Sequence, residues 1–263
     1  EGVNLFEKIL NTTTNYYWGF TQAPYPTHDQ RKAVKLIAHR GVHENKLALE
    51  NTFKAFDLAV ENHIWGIEFD VRFTKDNVPV VHHDNHLGRL FKKQETKVTD
   101  TNFSDLRILV PDIPSLSEMV QRYGKKIKLL IEIKQPEDSI LTANNFLALE
   151  NTLRLLRPCE DYYLLTLSPS LFDTQNFVSK QSVMCVDWRD IDNTVAQTLE
   201  RNYGAVSGHF MLLNDKRLRL SKEKGLITGT GFIETRGALY REIHRGVDWI
   251  FTNHPLRLQK YLS

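Results

Sequence analysis

Residues 65–72 read Trp-Gly-Ile-Glu-Phe-Asp-Val-Arg, a strand-like stretch with two acids among apolar residues. Side chains alternate between the two faces of a strand, so Glu68 and Asp70 share one face and the apolar residues between them share the other. Residues 128–134, Lys-Leu-Leu-Ile-Glu-Ile-Lys, repeat the pattern with Glu132 and Lys134 on one face. A buried carboxylate is costly unless it is paired or binds a cation. Both stretches therefore predict buried strands that carry a polar site.

Outward from these two stretches, short apolar runs alternate with segments of helical periodicity, as in parallel βα units. The strand candidates are Lys35–His39, Trp65–Arg72, Lys128–Lys134, Tyr162–Leu167, Val183–Asp187, Ala205–Ser207, Leu226–Gly231 and Trp249–Thr252. The helix candidates are Asn51–Glu61, Ser115–Tyr123 and Ser139–Leu156. Eight such strands predict an α/β fold, a TIM (β/α)8 barrel in regular or distorted form. A doubly wound open sheet is disfavoured because no G-x-G-x-x-G follows the first strand.

The chain length of 263 residues fits one such barrel, with residues 34–263 forming the barrel domain. Residues 1–33 precede the alternation and cluster aromatic side chains around Tyr16 and Phe20, which predicts an N-terminal extension packed on the barrel. Another departure is the segment Asn85–Ile113, which is too long for a simple strand-to-helix loop. Loops at the carboxyl ends of barrel strands build active sites, so we expect this segment near the site.

The charge balance argues against one class of binding partner. Lys and Arg number 34 against 32 Asp and Glu, a formal net charge of +2, which argues against a nucleic-acid binder. No apolar run approaches the ~20 residues that span a bilayer, so we expect a soluble chain without stable membrane insertion. The compartment, cytoplasmic or periplasmic or secreted, and the oligomeric state stay open.

Three acids on two strands, Glu68, Asp70 and Glu132, are an all-oxygen ligand set of the kind that Mg²⁺ or Ca²⁺ prefers. A divalent metal site is therefore one reading of the pattern. The other is a structural ion network in which these acids pair with Arg40, Arg72 and Lys134.

Histidines end two of the apolar runs. His39-Arg40-Gly41 closes the first strand, and His82-His83-Asp84 closes the run that begins at Val78. Adjacent residues on an extended run point to opposite sides, so one of His82 and His83 faces away from the site. Imidazole is suited to general acid and base catalysis, and the guanidinium of Arg40 is suited to phosphate oxygens. Together with a metal and Lys134, these groups predict a site for a phosphate ester.

The ordered motifs resemble the glycerophosphodiester phosphodiesterase family. They are His39-Arg40-Gly41, Glu50-Asn51-Thr52, Glu68-Phe69-Asp70-Val71, Thr74-Lys75-Asp76, His83-Asp84, Ile113-Pro114-Ser115-Leu116-Ser117-Glu118, Ile131-Glu132-Ile133-Lys134 and, at the last strand, Gly246-Val247-Asp248-Trp249-Ile250-Phe251-Thr252-Asn253-His254-Pro255. The residues between about Ser139 and Arg219 carry no specific motif.

The resemblance implies a distorted TIM barrel that hydrolyses a small-molecule glycerophosphodiester to glycerol 3-phosphate and an alcohol. By position, Glu68, Asp70 and Glu132 would bind one divalent cation, Mg²⁺ or Ca²⁺. His39 and His83 would be the acid/base pair, Arg40 and Lys134 would contact the phosphate, and Glu50 would lie near the metal or Arg40. Under this hypothesis the glycerol hydroxyl attacks the phosphate to form a cyclic ester, which water then opens.

Two positions depart from the family pattern. Leu49 replaces a proline before the Glu-Asn-Thr group, and Gly231 replaces a tryptophan on the seventh strand, which predicts a wider pocket unless Phe232, Trp188 or Phe210 fills it. A bulkier diester is therefore an alternative substrate, as in a lysophospholipase D acting on lysophospholipids. A catalytically silent barrel that serves as a binding module is a further alternative, although such a scaffold has no physical need to bury these charges.

Overall fold

The computed structural model describes residues 5–20, 23–43, 48–187 and 190–263. The helices are α1 (Leu5–Phe20), α2 (His28–Ala33), α3 (Phe53–Glu61), α4 (Gly88–Phe91), α5 (Phe103–Leu109), α6 (Leu116–Tyr123), α7 (Ala143–Leu153), α8 (Ile191–Glu200), α9 (Asp215–Glu223), α10 (Arg236–Arg245) and α11 (Pro255–Gln259). The strands are β1 (Lys35–His39), β2 (Gly66–Phe73), β3 (Pro79–Val81), β4 (His86–Leu87), β5 (Lys93–Lys97), β6 (Lys128–Ile133), β7 (Tyr162–Thr166), β8 (Val183–Asp187), β9 (Ala205–His209), β10 (Ile227–Gly231) and β11 (Trp249–Thr252). Two short 3₁₀ turns span Pro169–Phe172 and Lys180–Ser182.

Eight parallel strands close into a barrel, which confirms the predicted fold class. Their order is β1, β11, β10, β9, β8, β7, β6 and β2, and β1 pairs with both β11 and β2. Each of the eight predicted strands is present, with ends that differ from the prediction by at most two residues. The strand predicted at 205–207 continues to His209, because Gly208 and His209 still pair with β8 or β10.

The barrel interior is filled by the inward-facing residues of alternate positions. This cluster contains Ile37, Leu130, Tyr163, Leu165, Met184, Ala205, Trp249 and Phe251. The opposite faces of the strands pack against the surrounding helices and form the largest apolar cluster, which includes Phe56, Phe69 and Leu129. Side chains alternate along a strand, so every second residue points into the barrel. On β1, β2 and β6 the inward-facing residues near the carboxyl end are polar.

The helix starts are set by local capping. Thr52 accepts a hydrogen bond from the Ala55 amide, so α3 begins at Phe53, two residues after the predicted start. Thr142 and Asn145 form a capping box, which begins α7 at Ala143 within the predicted segment 139–156. Ser115 and Glu118 form a second box at α6. These side chains satisfy backbone amides that lack partners in the first turn.

The long segment after β3 folds into a small unit of its own. It contains the β4–β5 hairpin together with α4 and α5, around an apolar cluster that includes Leu87, Val98 and Leu106. β3 pairs antiparallel with the end of β2, so the unit stands directly beside the carboxyl end of the strand that carries Asp70. The segment that we predicted as a long loop near the site is therefore largely structured.

Helix α1 lies against the loops that follow β9 and β10. The Asn15 side chain donates to the Phe232 carbonyl (2.7 Å) and accepts from the Glu234 amide (2.9 Å). The indole of Trp18 contacts the sulfur of Met211 at 3.2 Å and stacks under the guanidinium of Arg241. The boundary of an N-terminal unit at residue 33 stays a prediction. In the described part of the chain, no helix is both long and apolar enough to cross a membrane.

Candidate active site

Strand register brings the predicted acids together at the carboxyl end of the barrel. His39 on β1 lies opposite Glu68 on β2, and Asp70 on β2 lies opposite Glu132 on β6. One carboxylate oxygen from each of the three acids falls within 4.8 Å of the others. All three acids are buried: Glu68 is 1%, Asp70 0% and Glu132 8% exposed.

Two cations stabilise part of this buried negative charge. Lys134 Nζ lies 3.1 Å from Asp70 Oδ1 and 2.5 Å from Glu132 Oε1, while Arg40 Nε lies 3.2 Å from Asp70 Oδ2. Burial alone would raise the pKa of Asp70, but the charges of Lys134 and Arg40 outweigh it and hold that pKa well below its usual range. The ion-network reading of the sequence therefore applies to Asp70 and Glu132. It does not include Arg72, whose guanidinium bonds to the His83 carbonyl (2.6 Å).

Glu68 is the acid with the least compensation. Its Oε2 accepts from the Arg40 backbone amide at 3.0 Å, but its buried Oε1 has no hydrogen-bond partner among the described residues. Burial, followed by the charges of Asp70 and Glu132, raises the pKa of Glu68 well above its usual value. A buried oxygen without a partner, beside two further carboxylates, fits a hard divalent cation. With all three acids ionised, they outnumber the charges of Lys134 and Arg40 by one, and such a cation would offset that charge.

Arg40 is held at the mouth of the barrel by acids on two sides. It has φ 56°, a left-handed conformation that turns the chain out of β1. Its guanidinium also bonds to Glu50 Oε1 at 2.8 Å, so Glu50 lies beside Arg40. Glu50 is 3% exposed and binds a second guanidinium, that of Arg89, through both of its oxygens (2.6 and 2.9 Å).

His39 reaches the site from the end of β1. Its Nδ1 lies 2.7 Å from Asn253 Oδ1, and its Nε2 lies 3.7 Å from Glu68 Oε2. With Asn253 as the acceptor, the proton is on Nδ1 and the Nε2 lone pair faces the carboxylate cluster. Burial, followed by the charge of Arg40, lowers the pKa of His39, so its neutral form is favoured.

His83 approaches from the segment after β3. Its Nδ1 lies 2.7 Å from Asp84 Oδ1, and Arg89 Nε donates to the other oxygen of Asp84 at 2.7 Å. Nε2 of His83 makes no hydrogen bond to the residues that the structure describes. Its neighbour His82 is 1% exposed and bonds to the His86 carbonyl at 3.0 Å, so His82 is the histidine that faces away from the site.

Four polar residues support this site and had no role in the sequence argument. Asn253 and Asp84 orient the two histidines, Arg89 links Asp84 to Glu50, and the Asn51 amide donates to Asp70 Oδ2 at 2.9 Å. Three of them, Asp84, Asn51 and Asn253, lie inside the motifs quoted above. Their positions next to predicted site residues could have indicated a supporting role. Arg89 carries no such signal, because it meets Glu50 only through the folding of the segment after β3.

The end of β10 brings no side chain to the barrel interior at Gly231. Gly229 faces the interior, where an added Cβ would meet Phe251 at 2.9 Å, and Gly231 shares that face two residues later. A Cβ at Gly231 would meet no atom of the described residues within 4 Å, apart from its two chain neighbours. Phe210 is fully buried, while the partly buried Phe232 stacks its ring on His209 with centroids 5.5 Å apart. Trp188, the third residue expected to fill this space, lies outside the described residues.

Comparisons with known proteins identify the family to which the sequence is similar. The model of the glycerophosphoryl diester phosphodiesterase family matches residues 39–257. The chain is 40% identical to YhdW of Bacillus subtilis over 110 residues, 38% of this chain and 44% of that protein, so it spans less than half of this relative's length. It is 24% identical to a glycerophosphodiester phosphodiesterase of the same organism over 259 residues, 84% of each chain.

Among solved structures, the fold is similar to that of an Oleispira antarctica phosphodiesterase in complex with the product sn-glycerol-3-phosphate. The TM-score is 0.74 at 19% identity, with 87% of this chain and 96% of that chain covered. At this identity the likeness is one of fold. The family match, in contrast, covers most of the chain and includes every proposed site residue. The chain therefore belongs to the glycerophosphoryl diester phosphodiesterase family.

Proposed function

We propose that this chain is a metal-dependent phosphodiesterase that hydrolyses glycerophosphodiesters to glycerol 3-phosphate and an alcohol. The observation that carries the proposal is the buried cluster of Glu68, Asp70 and Glu132, together with two histidines, His39 and His83, whose Nε2 atoms make no hydrogen bond to a described residue. The product bound in the Oleispira antarctica structure is the one this reaction releases.

Glu68, Asp70 and Glu132 are the proposed ligands of one divalent cation, Mg²⁺ or Ca²⁺. Such an ion supplies Lewis-acid polarisation of a phosphoryl oxygen and lowers the pKa of a hydroxyl that it binds. Lys134 already contacts two of these acids, so its ammonium lies within reach of a phosphate held at the same place. Arg40, oriented by Asp70 and Glu50, presents the other positive charge.

His39 and His83 are the proposed acid and base. One of them accepts the proton of the substrate's glycerol hydroxyl as that oxygen attacks phosphorus, and the other donates a proton to the departing alcohol oxygen. The product of this step is a cyclic phosphate. In the second step water attacks phosphorus, the histidine roles are reversed, and the proton returns to the glycerol oxygen as the ring opens. Arg40 and Lys134 stabilise the charge that develops on the phosphoryl oxygens.

Asn253 and Asp84 fit this mechanism because each holds Nδ1 of its histidine. A neutral imidazole with its proton fixed on Nδ1 has only Nε2 available for proton transfer. Nε2 is therefore the nitrogen of each histidine that we assign to proton transfer with the substrate.

Phosphorus NMR of glycerophosphocholine with the purified chain tests the proposal, with Mg²⁺, with Ca²⁺ and with EDTA. We expect a glycerol 3-phosphate resonance in the presence of metal and unchanged substrate in EDTA. Turnover that is equal in EDTA would contradict the metal role. No turnover of this diester, glycerophosphoethanolamine or glycerophosphoglycerol with either metal would contradict the reaction.

A further inference from the structure

The guanidinium of Arg89 connects two parts of the candidate active site. Its Nε donates to Asp84 Oδ2 at 2.7 Å, and the other oxygen of Asp84 lies 2.7 Å from Nδ1 of His83. Its Nη1 and Nη2 donate to the two oxygens of Glu50 at 2.9 and 2.6 Å. Oε1 of Glu50 also accepts from Arg40 at 2.8 Å. These side chains form a continuous series of hydrogen bonds between the proposed acid/base group His83 and the proposed phosphate-binding group Arg40.

A guanidinium is suited to this position because it is planar and has several N–H donors in a fixed arrangement. Two of its donors bind one carboxylate as a fork, and the third is left for a second acceptor. Hydrogen bonds between ionised groups are roughly twice as strong as those between neutral groups. A lysine ammonium is a single charge on a flexible stem, so it cannot hold both carboxylates of this site in one fixed geometry.

Both carboxylates that Arg89 binds are buried. Glu50 is 3% exposed and Asp84 is 8% exposed. Burial would raise the pKa of Asp84, but hydrogen bonds to His83 and to Arg89 outweigh it and lower that pKa. Among the described residues, Arg89 is the only Lys or Arg side chain that forms an ion pair with Asp84. Loss of Arg89 would therefore leave Asp84 without the charged partner that fixes its orientation.

The short helix α4, which carries Arg89, is anchored by buried side chains. Leu87 precedes it and is fully buried in the apolar cluster of the unit after β3. The ring of His82 lies beside that of Phe91 with centroids 5.8 Å apart, and its Nε2 bonds to the His86 carbonyl. His82, which faces away from the site, thus helps to hold the segment from which Arg89 reaches into it.

We propose that Arg89 is a positioning residue, which fixes the ring of His83 through Asp84 and the guanidinium of Arg40 through Glu50. The inference rests on the proposed function, since it concerns the acid/base and phosphate contacts of that reaction. We assign Arg89 no contact with the substrate, because its donors are directed to the two carboxylates. A misplacement of about 1 Å in a catalytic group can cost on the order of 10²-fold in rate, so a residue that fixes two such groups affects turnover strongly.

Kinetics of Arg89→Ala with glycerophosphocholine test the effect on turnover. We expect kcat to fall by roughly 10–100-fold and KM to rise, because both His83 and Arg40 lose their support. The Arg89 side chain is 38% exposed, so guanidinium ion can enter the space that the substitution leaves. Guanidinium chloride at about 10–50 mM is expected to restore part of the lost kcat, since it supplies the same donors.

Arg122→Ala is the matched control. Arg122 also forms two hydrogen bonds with one carboxylate, that of Asp57, but it does so between the outer helices α6 and α3. We expect this variant to keep the parental kcat and KM and to show no response to guanidinium chloride.

Nitrogen NMR of the histidine rings separates a positioning role from a merely structural one. In Arg89→Ala we expect the His83 ring to exchange its proton between its two nitrogens, while His39, held by Asn253, keeps its proton on Nδ1. Arg89→Lys is the second variant and carries both measurements if Arg89→Ala does not fold. Because one ammonium cannot hold both carboxylates, we expect its kcat to lie at least about 5-fold below that of the parent.

The outcomes distinguish this inference from the proposed function. Parental kcat and KM in both variants, with circular dichroism spectra of folded protein, would overturn the inference and leave the proposed function intact. An unchanged His83 tautomer in Arg89→Ala would also overturn it, as would equal loss of the Nδ1 tautomer at both histidines. The NMR measurement needs no substrate. If the parent hydrolyses no glycerophosphodiester but the His83 tautomer is lost in Arg89→Ala, the proposed function is wrong and the placement of His83 by Arg89 stands.

Discussion

Asp70 lies directly opposite Glu132 in the register of two neighbouring strands, and the ammonium of Lys134 contacts both carboxylates. Two of the three clustered acids are thus compensated by the protein itself. The third, Glu68, forms no ion pair with a described Lys or Arg side chain, and its buried Oε1 has no hydrogen-bond partner among the described residues; Asp70 Oδ1 also lacks a hydrogen bond but lies 3.1 Å from Lys134 Nζ. This asymmetry makes Glu68 the residue whose burial depends most on a bound cation.

Glu68→Gln is therefore expected to affect metal binding and stability in opposite directions. The substitution removes one ligand, so turnover falls by at least about 10²-fold. It also removes a poorly compensated buried charge, so the free energy of unfolding in EDTA is unchanged or rises by about 1 kcal/mol. Thermal unfolding with EDTA and with Mg²⁺ measures this: Mg²⁺ raises the Tm of the parent and not that of the variant. Glu61→Gln, at an exposed acid, is the control, and a Mg²⁺ shift retained by Glu68→Gln would contradict the ligand role.

Removal of either proposed catalytic imidazole is expected to abolish most activity. His39→Ala and His83→Ala each lower kcat by at least about 10²-fold, because proton transfer in the two steps needs both an acid and a base. Circular dichroism spectra stay like those of the parent, since both side chains lie at the barrel mouth. His28→Ala, at the exposed start of α2, keeps parental kcat. Near-parental turnover by the two folded site variants would show that these histidines are not the acid and base.

Asn253→Leu is expected to lower activity through its effect on His39. Loss of the 2.7 Å contact frees the His39 ring to rotate and to exchange its proton between the two nitrogens. We expect kcat to fall by roughly 10–100-fold with little change in KM, because the phosphate contacts are untouched. Nitrogen NMR of the histidine rings reads the tautomer directly, and an Nδ1-protonated His39 that persists in the variant would contradict this role for Asn253.

The capping box of α6 gives a pH-dependent contribution to stability. Burial would raise the pKa of Glu118, but hydrogen bonds from the Ser115 amide (2.8 Å) and from Arg107 outweigh it and lower that pKa. A lowered native pKa means that the stabilisation is present above the ordinary carboxyl pKa and is lost as the pH falls through the native one. Glu118→Ala is expected to cost about 1 kcal/mol at neutral pH and less in acid. Urea unfolding at the two pH values checks this, and an equal cost at both would contradict it.

Gly231→Trp is expected to place a ring on the interior face at the end of β10 without disturbing the fold. The φ of Gly231 is not in the left-handed region, and a Cβ there meets no atom of the described residues within 4 Å apart from its chain neighbours, so we expect little change in Tm. If the acylated part of a lysophospholipid passes this position, the ratio of lysophosphatidylcholine to glycerophosphocholine hydrolysis falls by about 10-fold or more. Competition between the two substrates in one phosphorus NMR sample measures the ratio, and an unchanged ratio would show that the acyl chain does not pass Gly231.

The barrel and the three clustered acids could be predicted from the sequence, because both follow from the alternation of apolar and polar residues along single strands. Glu68 and Asp70 are two residues apart on one strand, and Glu132 has the same inward parity on β6, so their common face follows from strand geometry. The strand ends were harder to predict, since Gly208 and His209 pair with their neighbours although neither is apolar.

The supporting residues could not be predicted because tertiary structure brings them together. Arg89 meets Glu50 across 39 residues of chain, and Asn11 meets His209 across 198. Neither pair has a sequence spacing that encodes contact. The aromatic cluster at the N-terminus was visible in the sequence, but its division into a packed Trp18 and an exposed Tyr16 and Phe20 depends on which face of α1 meets the barrel.

Closure of the barrel by β1 and β11 has a consequence for biosynthesis. His39 leaves the ribosome more than two hundred residues before Asn253, yet the two meet across the seam where the first and last strands pair. A nascent chain that carries all three acids and both histidines still lacks the strand that positions one of those histidines. Under the proposed function, catalytic competence therefore requires that β11 has emerged and paired with β1, and it does not build up gradually as the earlier strands are made.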